Sequence, residues 1–467
     1  MSNEKSKAEL LKEKLFYEAP HVAQSVGDDE VSQAKAFCED YKIFLDNAKT
    51  EREAVNEVVA MAKAQGFVPY DNSVCYKAGD KVYFNNRNKS IILAVIGKKG
   101  TSEGVRISAA HIDSPRLDLK PNPLYETDML AYFKTHYYGG IKKYQWTAIP
   151  LAIHGVVIKK SGEEVEIKLG ENQGEPCFVV TDLLPHLGAA QMKKPMSEGI
   201  KGEDLNITIG SLPFPEYDGS DAVKLNILNI LNEKYGIDES DFLSAELEIV
   251  PAFKASDIGF DRSLIGSYGH DDRVCAYPAA KAIFDIELPE KTAITVLTDK
   301  EEIGSEGNTG LNSNYLLYFV HNLAKNEGQD GFNVLSRSEC LSADVTSAFD
   351  PTFAEVFEKR NVAYVNKGVA IMKYTGARGK SGTSDASAEF MARIRNILDS
   401  KKICWQVGEL GKVDEGGGGT VAKYVAALDV DVIDIGVPVL SMHAPYEVVS
   451  KLDVYMAYRA FYEFFVD

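Results

Sequence analysis

The chain has 467 residues, 45% of them hydrophobic and 26% charged, with a formal net charge of −18. That length exceeds what one hydrophobic core serves, so two domains are expected, one inserted into the other; the composition excludes a fibrous or disordered chain, and the acidic balance speaks against a nucleic-acid partner held by phosphate contacts. No run approaches the ~18 apolar residues of a membrane span, and the N-terminal MSNEKSKAELLKEKLFYEA is charged, helical in pattern and without the apolar core of a signal peptide, so no membrane association and a cytoplasmic location are expected.

Residues 31–65 carry apolar side chains at three- and four-residue spacing, which predicts a helix closed by Gly66. The runs KVYFNN from 81, SIILAVIG from 90 and VRISAA from 105 are β-branched and apolar, and the last two are continuous enough for buried strands. From about 118 to 250 the texture becomes that of β-hairpins, in PLAIHGVVIKK, EEVEIKLG and CFVV, so this stretch reads as an inserted, mainly β domain. After 251 strands and helices alternate: DRVCAYPAAKAIFDI helical, TAITVLTDKEE a strand running into a loop, NSNYLLYFVHNLAKN helical, CLSADV a strand, ASAEFMARIRNI helical and VIDIGVP a strand. That alternation predicts an α/β sheet. The expected division is therefore 1–117 with 251–467 as one discontinuous domain and 118–250 as the insertion.

The six cysteines form no CxxC pair, which argues against a disulfide framework or a cysteine-built zinc site. A metal site would have to come from the eight histidines and the carboxylates. Residues able to do this recur at predicted strand ends: His111 after VRISAA, Glu301 and Glu302 after TAITVLTDK, Asp344 after CLSA, and His443 after VIDIGVPVLSM. Ligands bind at that edge of open α/β sheets. In AHIDSP, Asp113 stands two residues from His111 on the same side of an extended segment, where it can orient a metal-bound ring. In TDKEEIGSEG two adjacent glutamates diverge, so one can bind metal while the other handles a proton. Two metals about 3.5–4 Å apart need a bridging carboxylate, and Asp271, at the start of a predicted helix in GHDDRV, suits that role. Each motif taken singly also has a plain reading, as a helix-start acid, a surface charge pair or a loop histidine; the strand-end placement of the set is what favours a site.

AHIDSPRLDLKP, GHDDRV, DKEEIGSEG, SADV and SMHAP, in this order, resemble the aminopeptidase I and aspartyl aminopeptidase family of zinc metallo-exopeptidases. YYGG, PLAIHG and PHLGAAQ resemble segments of that family's inserted domain. The resemblance implies a mixed-sheet catalytic domain with helices on both faces and an inserted, mainly β dimerisation domain. It implies two divalent ions, zinc first, with cobalt or manganese also accepted by such ligands. Asp271 would bridge them, Glu302 and His443 would complete one site, and His111 and Asp344 the other. Asp113 would orient His111, and Glu301 would be the general base. The implied activity is removal of N-terminal residues from peptides, with a broad or neutral side-chain preference or an acidic one.

Two segments are expected to shape the substrate pocket: KGVAIMKYTGARGKSGTSDAS, with Lys373, and KVDEGGGGTVAK, with Gly417. The resemblance further implies self-association into dimers and a dodecamer, with His186 of DLLPHLGAAQ reaching the active site of a partner subunit. The chain departs from the family at SAFDP, where a histidine is common, and at TAIPL, both of which bear on substrate preference. The alternatives are a related two-metal deacylase or carboxypeptidase and a catalytically inactive assembly protein; the insertion after His-x-Asp argues for an aminopeptidase, and no ligand nor Glu301 is missing.

Overall fold

The computed structural model describes residues 5–467, so residues 1–4 of the expected first segment lie outside the described residues. A short helix, Lys7–Leu15, is followed by two longer ones, Asp28–Asn47 and Glu51–Ala64, where the periodicity of residues 31–65 predicts one. The break follows from Thr-Glu-Arg-Glu at 50–53. Thr50 Oγ1 accepts the Glu53 N–H, while the Glu53 carboxylate accepts the N–H groups of Lys49 and Thr50. This capping box starts a new helix in the middle of a continuous apolar pattern.

Nine strands form the main sheet, in the spatial order Val68–Pro69, Lys81–Asn86, Ser90–Val95, Ala293–Thr298, Arg106–His111, Glu339–Ala343, Asp431–Gly436, Val369–Met372 and Trp405–Val407. It is mixed: Ala293–Thr298 runs antiparallel to Ser90–Val95 and parallel to Arg106–His111, and the next two strands continue in parallel. The pleat sends alternate residues to opposite faces. Ile91, Leu93 and Val95 join one core with helices Asp28–Asn47, Glu51–Ala64, His270–Phe284 and Lys451–Val466, whereas Ile92 and Ala94 join a second core under helix Tyr315–Asn326. A sheet buried on both faces requires the continuous apolar runs that mark these strands.

The second sheet has seven antiparallel strands between Arg116 and Pro251 and a core of its own around Leu117, Trp146, Ile153, Phe242 and Ile249. The chain is thus an α/β protein carrying a β-rich insertion. Helix Ala222–Tyr235 also lies in this stretch, unlike the hairpins expected there. A third, five-stranded sheet includes Leu264–Ser267, Pro438–Leu440 and Glu447–Ser450. After His443 the chain first makes the strand Glu447–Ser450, and the last helix begins only at Lys451.

Glu53 also joins the first two sheets: it accepts from His154 Nδ1 at 2.9 Å and pairs with Lys168 at 3.1 Å, both on the insertion. Burial opposes its charge, but His154 and then Lys168 outweigh burial and hold its pKa down at about 2. A carboxylate lowered in this way contributes stability above its ordinary pKa of 4.5 and loses it as pH falls towards about 2. Glu53→Gln should therefore cost about 1–3 kcal/mol at neutral pH. In urea titrations the gap between wild type and variant should narrow as pH drops below about 4.5; a pH-independent gap would contradict this account.

Candidate metal centre and substrate cleft

Three parallel neighbours in the main sheet, Ala293–Thr298, Arg106–His111 and Glu339–Ala343, end at the same edge. Thr298 pairs with His111, and continuing the Ser342–Ala109 register by two residues brings Asp344 level with His111. A turn of 3₁₀-helix, Glu301–Ile303, follows the first of these strands. Asp271 is the second residue of helix His270–Phe284, in a non-helical backbone conformation. His443 arrives from the third sheet, in the loop between Pro438–Leu440 and Glu447–Ser450, with φ +63°. Three of the sequence-selected segments thus share one sheet edge, while His443 comes from a separate sheet.

The side chains converge. His111 Nε2 lies 3.1 Å from Asp271 Oδ1, 3.7 Å from Asp344 Oδ1 and 3.9 Å from Glu301 Oε2. His443 Nε2 lies 3.2 Å from Asp271 Oδ2 and 3.5 Å from Glu302 Oε1. Ligand atoms of His111, Glu301 and Asp344 fall within 4.8 Å of one another, as do those of His111, Asp271 and Glu302. Both imidazoles use Nδ1 on a main-chain carbonyl: His111 with Asp113 O at 2.9 Å and His443 with Gly140 O at 2.7 Å. An Nδ1–H donating there leaves the Nε2 lone pair turned towards the carboxylates, the tautomer a metal ligand needs.

Asp113 holds His111 through its carbonyl at 2.9 Å more closely than through its carboxylate, which is 3.3 Å away. The carboxylate accepts three other hydrogen bonds: Glu301 N–H and Glu302 N–H, both at 3.2 Å, and Tyr138 O–H at 2.7 Å. Asp113 therefore fixes the turn that carries both glutamates.

The electrostatics are those of crowded negative charge. Burial opposes a proton on His111, but Asp113, Asp271 and Asp344 outweigh it and hold the ring well above the usual histidine range. Burial is likewise outweighed at His443, where Asp271 and Glu302 push the pKa to about 10. Burial and then Asp344 raise Glu301 to about 8, and burial and then Asp271 raise Glu302 well above the usual carboxylate range. Among the described residues, Asp271 Oδ1, Glu302 Oε1 and both Asp272 carboxylate oxygens are buried without a hydrogen-bond partner. Orphaned carboxylate oxygens beside two imidazoles whose Nε2 protons a cation would displace form a donor set that suits a divalent cation such as zinc.

A cleft of about 430 Å³ opens beside this cluster. Gly417 lines it at φ +113°, where a Cβ would collide with the Gly376 carbonyl, so this position requires glycine. Lys373 is exposed and tied to Asp385 at 2.8 Å; its neighbours Met372 and Tyr374, not Lys373, line the cleft. His186 sits in an exposed turn of the insertion and does not line this cleft. A larger hollow, about 930 Å³, lies near Tyr70, Phe84 and Tyr318, but Asp71 and Arg87 are its only charged lining residues, and it holds no ligand cluster.

Several site residues escape a reading by motif. Glu447 is buried and accepts His443 N–H at 2.7 Å and Asp271 N–H at 3.0 Å, joining two segments of the cluster. Its signal is its position four residues after His443. Asp434 accepts from Thr420 at 2.7 Å and from Ser342 at 2.8 Å, pinning the end of the glycine run to the sheet. Tyr138 and Gly140 fall in the YYGG segment, which the family resemblance marks without assigning a role, since their roles depend on contacts across the fold.

A cation in such a donor set, beside an open cleft, would be within reach of a substrate; the class so defined is a metal-dependent hydrolase. A model of the aminopeptidase I zinc metalloprotease family (M18) matches residues 44–465. A probable M18 family aminopeptidase 1 of Clostridium acetobutylicum is 49% identical over 449 residues, covering 94% of this chain and 97% of that protein; the Thermotoga maritima protein of the same description is 46% identical, covering 92% and 96%. The crystal structure of an M18 aminopeptidase from T. maritima superposes with a TM-score of 0.92 at 44% identity, covering 96% of this chain and 99% of that one. That of aminopeptidase I from C. acetobutylicum gives 0.91 at 45%, covering 97% and 100%. The dodecameric mApe1 of S. cerevisiae, 20% identical, shares the fold with a TM-score of 0.75. The chain belongs to the M18 family of zinc metalloproteases and is a metal-dependent aminopeptidase.

Glu447→Gln would turn an N–H donor towards one of two N–H groups. It should raise the metal concentration needed to reactivate chelated enzyme by about 10–100-fold. Metal titration of the chelated proteins measures this, and an unchanged requirement would contradict the assigned contacts.

Proposed function

We propose that the site is dinuclear, with Asp271 as the bridge, Glu302 and His443 completing one position, and His111 and Asp344 the other. The supporting observation is that the two oxygens of Asp271 face the two inward Nε2 atoms, at 3.1 and 3.2 Å. When bound, two divalent ions there would polarise the scissile carbonyl, acidify water and hold the free α-amine of the substrate, which restricts cleavage to the first residue. Glu301 is left over from both ligand sets and borders the cleft. It takes the proton of the attacking water and passes it to the leaving amine. Asp113 keeps Glu301 in place through the 3.2 Å bond to its N–H. Zinc is the metal proposed, with cobalt or manganese accepted.

The substrates proposed are peptides with a broad or neutral N-terminal residue. Met372, Met442, Val345 and Leu410 give the cleft apolar walls, and Lys373 is occupied by Asp385. An acidic preference would instead draw on Lys423, a cleft-lining lysine; the ratio of Leu- to Asp-nitroanilide cleavage decides between them.

The stretches 1–117 with 251–467 and 118–250 are proposed as catalytic and dimerisation domains, with dimers building a dodecamer. Leu183, Leu184, Leu187, Met192 and Met196 are exposed on the insertion on either side of His186, an apolar surface suited to a second copy. The partner subunit's His186 would then reach the cleft. A monomeric mass in solution at working concentration would overturn this assembly. A cytoplasmic location belongs to the same proposal, supported by six free cysteines.

Glu301→Gln should lower kcat by about 10²–10⁴-fold while leaving metal content unchanged. Its effect on the chelated protein has the opposite sign. A carboxyl whose folded pKa of about 8 exceeds its ordinary 4.5 destabilises the fold increasingly as pH rises between those values. In chelator, the variant should melt at a higher temperature than wild type, by a margin that grows from pH 5 to pH 8. A lower melting temperature at pH 8 would remove Glu301 from the charge cluster.

A further inference from the structure

We propose that Tyr138, Gly139 and Gly140, at the end of strand Leu130–Tyr138 of the inserted sheet, form a positioning element for the metal centre, so that the insertion is part of the active-site scaffold as well as an assembly surface. The inference rests on the ligand roles proposed above.

Three consecutive residues make three separate contacts with the cluster. Tyr138 O–H donates to Asp113 Oδ2 at 2.7 Å, and that same oxygen accepts the Glu302 N–H. Gly139 lies against Glu302: with φ +72°, a Cβ built there would be 3.1 Å from Glu302 Oε2 and 3.4 Å from Glu302 Cβ. Gly140 offers its carbonyl to His443 Nδ1 at 2.7 Å. Through Asp113 the segment acts on His111 and on the turn carrying Glu301 and Glu302; through Gly140 it sets the ring of His443. Both halves of the proposed site therefore take their orientation from one piece of the inserted sheet.

The segment is itself held from behind. Tyr138 pairs in register with Arg116, whose guanidinium stacks 4.0 Å from the Tyr138 ring. Arg116 is buried, donates to Asp118 at 2.8 Å, and forms ion pairs with Glu51 and Glu248, each at 3.2 Å. Glu51 opens a helix packed on the main sheet, whereas Glu248 and Asp118 belong to the inserted sheet. This fixes the phenol relative to both layers. A hydrogen-bonded partner behind a metal-ligating histidine or carboxylate typically governs affinity or activity by about 10–100-fold.

Tyr138→Phe removes only the donated hydrogen bond. It should lower kcat by about 10–100-fold with KM within about threefold of wild type, and speed metal loss to a chelator. Gly139→Ala forces the chain against Glu302 and should weaken metal retention further, with activity partly restored by excess metal. Tyr132→Phe, which removes a hydroxyl from the same strand without touching the cluster, is the control and should match wild type in kcat and metal release. The proposal is overturned if Tyr138→Phe keeps both wild-type kcat and wild-type metal release, or if Tyr132→Phe is equally damaging, which would reduce the effect to strand stability. Failure of the dinuclear reading would appear elsewhere, as a wild-type stoichiometry other than two ions per chain.

Discussion

Asp113, Asp271, Asp272, Glu301, Glu302 and Asp344 gather at one sheet edge, the four aspartates each less than a tenth exposed, and like charges this close cannot all ionise without compensation. The fold compensates some of them and leaves others bare. Asp113 receives two backbone N–H groups and a phenol, and Glu447, just behind, receives two more N–H groups. These satisfied carboxylates organise the site. Asp271 and Glu302 keep oxygens with no hydrogen-bond partner, and they are the residues proposed as ligands. Asp272 is orphaned too, and burial and then Asp344 hold its pKa well above the usual range, as burial and then Asp271 do for Glu302. Satisfied carboxylates position, and the unsatisfied ones are those whose charge a divalent cation would offset.

The scaffold explains how such a cluster can be held at all. Three parallel strands end level with one another, and a doubly covered sheet cannot shift its register without moving apolar residues from one core to the other. His111 and the segments bearing the glutamates and Asp344 are fixed by that register. Asp271 and His443 arrive on separate elements, and these need a fastening of their own. Glu447 supplies it by accepting the N–H of each, which also supports His443 in a left-handed backbone conformation that a non-glycine residue adopts at some cost.

What was legible in the sequence follows the same division. His111, Glu301, Glu302 and Asp344 stood at the ends of apolar runs, where a short-range pattern suffices, and the sheet strands carrying them are where the pattern places them. The third sheet leaves no pattern in the sequence because its strands are short, three and four residues at Pro438–Leu440 and Glu447–Ser450, below the length at which periodicity distinguishes strand from loop. The break at Thr50 was written in a capping box but overridden by a continuous helical period. Gly140 acts through a carbonyl, which every residue has, and Tyr138 through a partner 25 residues away. The YYGG motif marks the segment that holds both, but neither role can be read from composition or spacing. Lys373 lies in a segment whose pattern suits a substrate pocket, but Asp385, twelve residues on, neutralises it, and only folding brings that pair together.

The path of the chain gives the insertion its place in this arrangement. It leaves the cluster at Asp113, begins the inserted sheet at Arg116, and returns from it at Pro251, where Lys49 Nζ donates to the Phe253 carbonyl at 2.9 Å and forms an ion pair with Glu171. Both ends of the insertion are therefore tethered within a few residues of the catalytic layer, and its strand Leu130–Tyr138 ends against Glu302 and His443. A domain attached in that way cannot rotate freely without disturbing Asp113. If the insertion is also the dimer surface, the exposed apolar turns at 183–196 and the strand Leu130–Tyr138 that ends against both halves of the cluster belong to one inserted layer with a core of its own, so assembly and metal-site order are coupled through packing that already exists within a single chain.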